Sequence, residues 1–196
     1  MCGIVGLFLK DKSLEPQLGK MLTDMLITMT DRGPDSAGIA IYGNESGGMA
    51  KLTVQSDNAD VDFATIGDDL GKLINASVSS LRKDTHAVLL LPNDKLAHAR
   101  EALRDIRPDV RIMSSGESLE IYKEVGLPRD VARRFEVEKM TGTHGIGHTR
   151  MATESAVTTM GAHPFNTGPD QCLVHNGSLS NHNSLPPQRD PYRNRE

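Results

Sequence analysis

The sequence has 196 residues, enough for one medium domain or for one domain that carries an insertion. It contains 22 Lys and Arg against 26 Asp and Glu, and the net charge of −4 does not favour nucleic acid or an anionic membrane as a partner. Hydrophobic residues make up 37% of the chain and aromatic residues only 4%, so we expect a core of aliphatic and Met side chains.

Cysteine usage and the amino-terminal sequence both favour the cytoplasm. Cys2 and Cys172 are the two cysteines, and two thiols without an export signal suggest a reducing compartment. The chain lacks a basic leader followed by an apolar stretch with a cleavage site. Its apolar runs are all shorter than the ~18 residues that a membrane span needs. We therefore expect a cytoplasmic protein with free thiols and no membrane partner.

The amino-terminal quarter predicts a strand, a helix and two further strands. An apolar run over residues 3–9 predicts a short buried strand. Ser13 is a candidate cap for the helix that follows. Six apolar side chains recur there at helical spacing, and they are Leu18, Met21, Leu22, Met25, Leu26 and Met29. Residues 37–55, with a turn at residues 44–48, predict a hairpin.

The middle of the chain, residues 57–140, is more charged and predicts an α/β insertion. Its predicted elements alternate between helix and strand, over residues 62–74, 85–91, 94–106, 110–114 and 117–125. The segment has neither a Gly-rich phosphate loop nor a cysteine, so we expect it to be a scaffold or docking surface. Further strands are predicted over residues 143–150 and 171–175. The Pro-rich residues 184–196 predict a disordered tail.

Cys2 occupies an unusual position for a cysteine, directly after the initiator Met. If Met1 is removed, Cys2 carries both a thiol, with a pKa near ~8.5, and an α-amine, with a pKa near ~7.7–8.0. The amine can then take the thiol proton, which makes Cys2 a candidate nucleophile with its own base. The alternative for this residue is a small buried hydrophobe in an edge strand.

Two predicted strand ends carry side chains suited to binding an amide substrate. Arg150 ends one strand, and a guanidinium binds a carboxylate bidentately. For an Arg considered alone, a structural salt bridge is the simpler explanation. Asn176 and Gly177 end another strand. A side-chain amide beside a glycine N–H makes a compact oxyanion hole, and the alternative is an ordinary Asn-Gly turn.

Five of the seven histidines lie near the carboxyl end, at His144, His148, His163, His175 and His182. Their spacing does not match that of a zinc site, because neither a carboxylate nor a second cysteine stands at the required interval. We therefore predict no metal and no cofactor, and expect these side chains to pack or form hydrogen bonds. Cys172 is predicted to be a buried thiol.

Five short motifs together resemble those of the class II glutamine amidotransferases, which are N-terminal-nucleophile hydrolases. They stand in the family's order, at residues 1–6 (MCGIVG), 31–38 (DRGPDSAG), 147–153 (GHTRMAT), 162–164 (AHP) and 174–177 (VHNG). The resemblance covers about residues 1–50 and 143–183 and leaves the insertion outside it. In detail the chain looks most like the stand-alone glutaminase subunits of glutamate-synthase-like and N-methylglutamate-synthase-like complexes.

This resemblance implies an α+β fold, the αββα sandwich of N-terminal-nucleophile hydrolases, with two mostly antiparallel sheets. The amidotransferase domain would span residues 1–183, with the insertion at residues 57–140 inside it. The chain ends about twenty residues after Gly177, so the resemblance also implies an incomplete carboxyl-terminal part.

The resemblance assigns a role to each site residue. They are catalytic Cys2, Asn176 and Gly177, substrate-binding Arg150, Thr153 and His163, and supporting Arg32 and Gly33. Cys2 would attack the side-chain amide of L-glutamine and form a γ-glutamyl thioester. The products would be glutamate and ammonia, and the ammonia would pass to an acceptor or synthase subunit.

Two departures from the family pattern leave other hypotheses open. Relatives use a further acidic residue well after the Asn-Gly pair, whereas Asp190 here lies among Pro and Arg. Met151 and Glu154 also stand where several relatives carry an aromatic residue and a histidine. The alternative is a non-catalytic truncated fragment or assembly module. A third hypothesis is an N-terminal-nucleophile hydrolase that acts on another amide.

Overall fold

The structure is a computed structural model that describes residues 1–44, 47–152 and 156–177. Within these ranges the strands are Gly3–Phe8 (β1), Ser36–Tyr42 (β2), Met49–Gln55 (β3), Ser79–Lys83 (β4), His86–Pro92 (β5), Arg111–Gly116 (β6), Leu119–Val125 (β7), His144–Arg150 (β8), Phe165–Gly168 (β9) and Gln171–Leu173 (β10). The α-helices there are Leu18–Thr28 (α1), Ala59–Asp62 (α2), Ile66–Ile74 (α3), Leu96–Ile106 (α4) and Pro128–Arg134 (α5). Short 3₁₀ turns cover Lys12–Gln17, Thr30–Arg32, Asn93–Lys95 and Val137–Lys139.

The first sheet has the strand order β1-β8-β2-β7, and every neighbouring pair is antiparallel. Helix α1 packs on one of its faces through Leu18, Leu22 and Leu26, which are fully buried. The helix can approach β8 closely because Gly147 has no side chain there. A Cβ at Gly147 would lie 2.8 Å from Leu26 Cδ1. The apolar stripe predicted for this helix is therefore confirmed as a core-facing surface.

The second sheet has the strand order β4-β5-β3-β6 and is also antiparallel throughout. Its elements follow one another as β-α-β-β-α-β, which is the split β-α-β arrangement. Helices α3 and α4 cover one face and form a core with the strands. Fully buried members of that core are Leu52, Leu70, Leu89 and Leu103.

Strand β7 joins the two sheets. Its backbone pairs with β2 in the first sheet, and its side chains contact the second sheet. Lys51 Nζ donates to Glu120 Oε1 at 2.8 Å, and the rings of His86 and Tyr122 lie 5.8 Å apart. Burial lowers the pKa of His86 to about 3, so this ring is neutral. The contact between the sheets is thus partly polar.

The small β9–β10 hairpin is fastened to the turn between β6 and β7. The Asp170 carboxylate accepts hydrogen bonds from the backbone N–H groups of Glu117, Ser118 and Leu119 at 2.8, 2.9 and 2.9 Å. Gly116 precedes this turn at a φ of +150°, where a Cβ would lie 2.3 Å from Asp170 Oδ1. Glycine is therefore required at this position.

Two predictions of local structure are wrong. Residues 37–55 do not form a hairpin, because β2 belongs to the first sheet and β3 to the second. Residues 117–125 are not a helix but contain β7. The reason is visible in the side chains of β7, which alternate between the two faces with the period of a strand: Ile121 and Lys123 point one way and Tyr122 and Glu124 the other.

The other elements agree with the sequence to different degrees. The helix predicted over residues 62–74 is interrupted, since α2 ends at Asp62 and α3 begins at Ile66. Asp11, and not Ser13, provides the amino-terminal cap of the first helical turn. Strand β4 and helix α5 were not predicted. The strands expected over residues 85–91, 110–114 and 143–150 are present as β5, β6 and β8.

The predicted α+β class is confirmed, and the two antiparallel sheets with their helices are compatible with the sandwich of N-terminal-nucleophile hydrolases. The division into a domain over residues 1–183 with an insertion over residues 57–140 stays a prediction. The tail predicted over residues 184–196 lies outside the described residues. Among the helices of the described ranges, none has the length and hydropathy to cross a membrane.

Candidate active site

Cys2 lies immediately before β1, at the end of the sheet where β8 finishes. Its Sγ is 3.9 Å from the carbonyl oxygen of Met151. The α-amino group of Met1 is 3.2 Å from Met151 Sδ. With Met1 in place the nitrogen of Cys2 belongs to a peptide bond, so Cys2 has no basic amine of its own in this form of the chain.

Thr149 fixes the backbone next to Cys2. Its hydroxyl accepts from Gly3 N at 3.2 Å and donates to the carbonyl oxygen of Met29 at 3.2 Å. One side chain of β8 thereby ties the start of β1 to the end of α1. Thr149 was not predicted as a site residue, since its partners are identified only by the register between β1 and β8.

The 31–38 motif braces this end of the sheet. Arg32 Nε donates to the carbonyl oxygen of Cys2 at 3.4 Å. Gly33 is pressed against β8, and a Cβ there would lie 2.5 Å from the carbonyl carbon of Thr149. Asp35 donates from its backbone N to Arg150 O at 3.1 Å and accepts from Ala152 N at 2.8 Å through Oδ2. Asp35 is a further residue of the site that sequence reasoning did not single out.

Asn176 comes to Cys2 from the other end of the described chain. Its side-chain Nδ2 donates to the Cys2 carbonyl oxygen at 2.9 Å. The carbonyl oxygen of the preceding residue, His175, accepts from His148 Nε2 at 3.0 Å, which fastens this segment to β8. Gly177 follows in open surroundings, and a Cβ built on it would meet no atom within 4 Å.

A cavity of about 320 Å³ opens beside the thiol, and its lining residues are Cys2, Gly3, Ile4, Met29, Arg32 and Asn176. Three of the eight predicted site residues, Cys2, Arg32 and Asn176, therefore meet at one cavity. An amide N–H group beside a thiol can donate to the oxyanion that forms when a carbonyl carbon is attacked.

Arg150 and His163 are not among the residues that line this cavity. The guanidinium of Arg150 is buried and donates through Nη1 to the carbonyl oxygen of Ala156 at 3.3 Å. Gly161 packs on the same guanidinium, because a Cβ there would lie 3.4 Å from Nη1. Thr153, the remaining predicted substrate-binding residue, lies outside the described residues.

His163 lies between two other histidine rings, tilted by 33° against His148 and edge-on to His175 at 85°. Its ring centroid is 4.3 Å from that of His148 and 4.6 Å from that of His175. Burial, together with the neighbouring positive charges, lowers the pKa of His163 to about 3, so the ring is neutral. Burial also lowers the pKa of His148. Within the described ranges no group of three His, Cys, Asp or Glu side chains is placed to hold a metal ion.

Lys123 supports the segment that carries His163. It is 3% exposed, and its Nζ donates to the carbonyl oxygens of Ala162 at 2.8 Å and Pro164 at 3.2 Å. Burial lowers its pKa to about 8. Its Nζ also lies 4.5 Å from the centre of the Phe165 ring. This buried position of an ammonium group was not predictable from the sequence, where Lys123 stands among alternating polar residues.

Comparison with known proteins relates the chain to glutamine amidotransferases. It is 66% identical over 186 residues to the glutamine amidotransferase-like protein GlxB of Rhizobium meliloti (strain 1021), an alignment that covers 94% of this chain and 61% of the relative. It is 33% identical over 192 residues to a protein of Methanothermobacter thermautotrophicus named as a candidate glutamine amidotransferase, covering 93% of this chain and 63% of the relative.

A shorter similarity extends to glutamine–fructose-6-phosphate aminotransferase of Methanococcus maripaludis. The two chains are 35% identical over 75 residues, or 38% of this chain and 12% of the relative. No protein-family model matches the chain. The chain spans about three fifths of the length of the first two relatives, at 61% and 63%. The similarities support a glutamine amidotransferase.

Proposed function

Because almost the whole chain is similar to proteins named as glutamine amidotransferases, we propose that it hydrolyses the side-chain amide of L-glutamine. The proposal assigns it to class II, in which an amino-terminal cysteine is the nucleophile. The observation that carries this assignment is the hydrogen bond from Asn176 to the carbonyl oxygen of Cys2, 174 positions away in the chain. It brings an amide donor to the residue that bears the thiol.

Before catalysis Met1 is removed, which gives Cys2 a free α-amine. The amine takes the proton of the thiol, and Sγ forms a bond to the carbon of the glutamine side-chain amide. Asn176 Nδ2 and Gly177 N–H stabilise the resulting oxyanion. The C–N bond then breaks, and the leaving nitrogen takes the proton from the amine and departs as ammonia. Water hydrolyses the γ-glutamyl thioester to glutamate and regenerates the thiol.

The other site residues hold the substrate and the backbone. Arg150 binds the α-carboxylate of glutamine, a role that its place at the end of β8, next to Thr149, supports. The proposal also assigns Thr153 and His163 to the substrate pocket, in a part beyond the cavity beside Cys2, whose lining residues do not include His163. Arg32 and Gly33 keep the Cys2 backbone in place, and their contacts with Cys2 O and with the Thr149 backbone support that role.

The ammonia is passed to a partner. The proposed unit is a glutaminase subunit that works in the cytoplasm beside an acceptor or synthase subunit, which uses the ammonia before it escapes. The second sheet, whose described residues contribute nothing to the cavity beside Cys2, is a suitable docking element for such a subunit.

Covalent labelling tests the proposal. The intact mass is measured before and after incubation with an electrophilic glutamine analogue. We expect loss of Met1 and one adduct on Cys2, which L-glutamine prevents. The adduct should vanish in Cys2→Ala and persist in Cys172→Ala, since Cys172 contacts the Tyr42 hydroxyl at 3.4 Å and lies outside the cavity. Retention of Met1, or labelling that glutamine does not block, would contradict the proposal.

A non-catalytic assembly module is the second candidate. It is favoured by two observations on Arg150, whose guanidinium donates to Ala156 O and which is not among the residues lining the cavity beside Cys2. This candidate predicts that the chain folds and assembles but releases no ammonia from L-glutamine. Measurable turnover that disappears in Cys2→Ala would exclude it.

A further inference from the structure

Glu124 is a buried carboxylate to which three separate parts of the chain converge. It lies near the end of β7 and is 8% exposed. Oε2 accepts from the Thr85 hydroxyl at 3.1 Å and lies 3.7 Å from Arg134 Nη1. Oε1 accepts from the Thr159 hydroxyl. A buried carboxylate is tolerated when such donors and a cation surround it, so these contacts hold the side chain in one position.

Thr159 belongs to the segment that surrounds the guanidinium of Arg150. Ala156 O in this segment accepts from Arg150 Nη1 at 3.3 Å, and Gly161 packs against the same guanidinium. Because Thr159 lies between these two residues, the anchor at Glu124 holds the middle of the segment. Glu124 is therefore linked to the Arg150 guanidinium through Thr159 and its neighbours in this segment.

The opposite side of Glu124 belongs to the second sheet and to α5. Thr85 stands between β4 and β5, and Arg134 is in the last turn of α5. Arg134 also pairs with Asp84, the neighbour of Thr85. Glu124, in β7, thus links Thr85 beside the second sheet to Thr159 in the segment around Arg150.

We propose that Glu124 is a positioning residue that sets the affinity of the site for the substrate α-carboxylate. It acts through Thr159 and the segment of residues 156–161 to orient the Arg150 guanidinium. This inference rests on the proposed function, in which Arg150 binds that carboxylate. It adds a determinant of substrate specificity that lies outside the cavity and outside the motifs of the sequence.

The test compares L-glutamine with L-glutamine α-amide, in which a neutral amide replaces the α-carboxylate. In Glu124→Gln the carboxylate charge is lost and one acceptor becomes a donor. We expect the KM for L-glutamine to rise roughly tenfold and kcat to stay within about twofold. The KM for the α-amide should stay unchanged, since this substrate makes no carboxylate contact with Arg150.

Two further variants make the test specific. Thr159→Val removes the hydroxyl that donates to Glu124 and should raise the KM for L-glutamine similarly, with no additional rise in the double variant. Glu120→Gln is the matched control, because Glu120 lies on the same face of β7 and pairs with Lys51 of the second sheet without contacting the 156–161 segment. Its KM should equal that of the unaltered protein.

The possible failures can be told apart. Two negative results together would show that the proposed function is wrong, and the role of Glu124 with it. They are no turnover of L-glutamine by the unaltered chain and no binding of L-glutamine to the Cys2→Ala variant in calorimetry. If the unaltered chain is active but Glu124→Gln leaves KM unchanged, or weakens both substrates equally, only the positioning role is overturned.

Discussion

At the scale of single residues, the candidate site is defined by contacts with one backbone carbonyl. Both Asn176 and Arg32 donate to the carbonyl oxygen of Cys2, at 2.9 and 3.4 Å. Two side chains from distant parts of the sequence thereby hold the residue that bears the thiol. Their motifs were visible in the sequence, but the shared acceptor was not.

The amide of Asn176 is expected to matter for catalysis more than for binding. Asn176→Ala removes a donor to the oxyanion and should lower kcat by roughly 10²–10³-fold with little change in KM. Steady-state ammonia release measures both constants. Asn166→Ala is the control, because the described contact of this side chain is with Gly168 N in the same strand, β9, and it should leave kcat near normal. Equal losses in both variants would argue against an oxyanion role.

Gly33 and Gly6 form a matched pair of positions for testing whether close contact between Gly33 and the backbone of β8 requires a glycine. A Cβ at Gly33 would meet the Thr149 carbonyl carbon at 2.5 Å, and backbone cannot move aside as a flexible side chain can. We expect Gly33→Ala to lower the free energy of unfolding by about 1–3 kcal/mol. A Cβ at Gly6 would meet nothing within 4 Å, so Gly6→Ala should change the free energy of unfolding little. Urea unfolding measures this free energy for both variants, and equal values would contradict the role of close packing at Gly33.

At the scale of elements, the turn between β6 and β7 and the β9–β10 hairpin are joined through one carboxylate. Burial by itself would raise the pKa of Asp170, but hydrogen bonds from the backbone N–H groups of Glu117, Ser118 and Leu119 outweigh it and hold the pKa below its ordinary value. The hairpin leads directly to Asn176, so this contact also places the donor at Cys2.

Asp170→Asn tests that contact through the pH dependence of stability. A carboxyl whose pKa is lowered on folding stabilises the protein above its unfolded pKa of about 3.9, and this contribution is lost as the pH falls through the folded pKa. We expect the variant to be less stable than the parent at pH 7 and the difference to shrink below about pH 4. Asp24→Asn, at an exposed pair with Lys20, should show only a small difference at pH 7.

At the scale of the whole molecule, β7 makes the two sheets one unit. Tyr122 is fully buried, its hydroxyl donates to Glu120 Oε2 at 2.6 Å, and its ring lies beside His86 and Phe135. The core of the first sheet extends to the second sheet here, because Val88 of β5 belongs to the same buried cluster as Tyr122 and Phe135. This predicts that unfolding is cooperative across both sheets.

Tyr122→Ala is expected to break that cooperativity. The loss of a large buried ring should cost about 3–5 kcal/mol and separate the melting of the second sheet from that of the first. Calorimetry should show one transition for the parent chain and two for the variant. Phe8→Ala serves as the control, because it removes an aromatic ring from a residue that is 67% exposed. A single transition in Tyr122→Ala would mean that other contacts couple the sheets.

The sequence by itself determined the elements whose patterns are local. The stripe of α1 and the strands β5, β6 and β8 follow from side chains that lie near one another along the chain, so periodicity was enough to find them. The same holds for the chemical types at Cys2, Arg150 and Asn176, because the presence of a thiol, a guanidinium and an amide follows from the residue identities alone.

Only the tertiary structure decided which of these groups meet. Residues 37–55 look like a hairpin locally, but β2 finds its partners in β7 and β8, which lie more than seventy positions further along the chain. The pairing of β1 with β8 places Thr149 on Gly3, and the burial of Glu124 and Lys123 depends on the segments that close over them. Register and burial are properties of long-range packing, and no local pattern in the sequence encodes them.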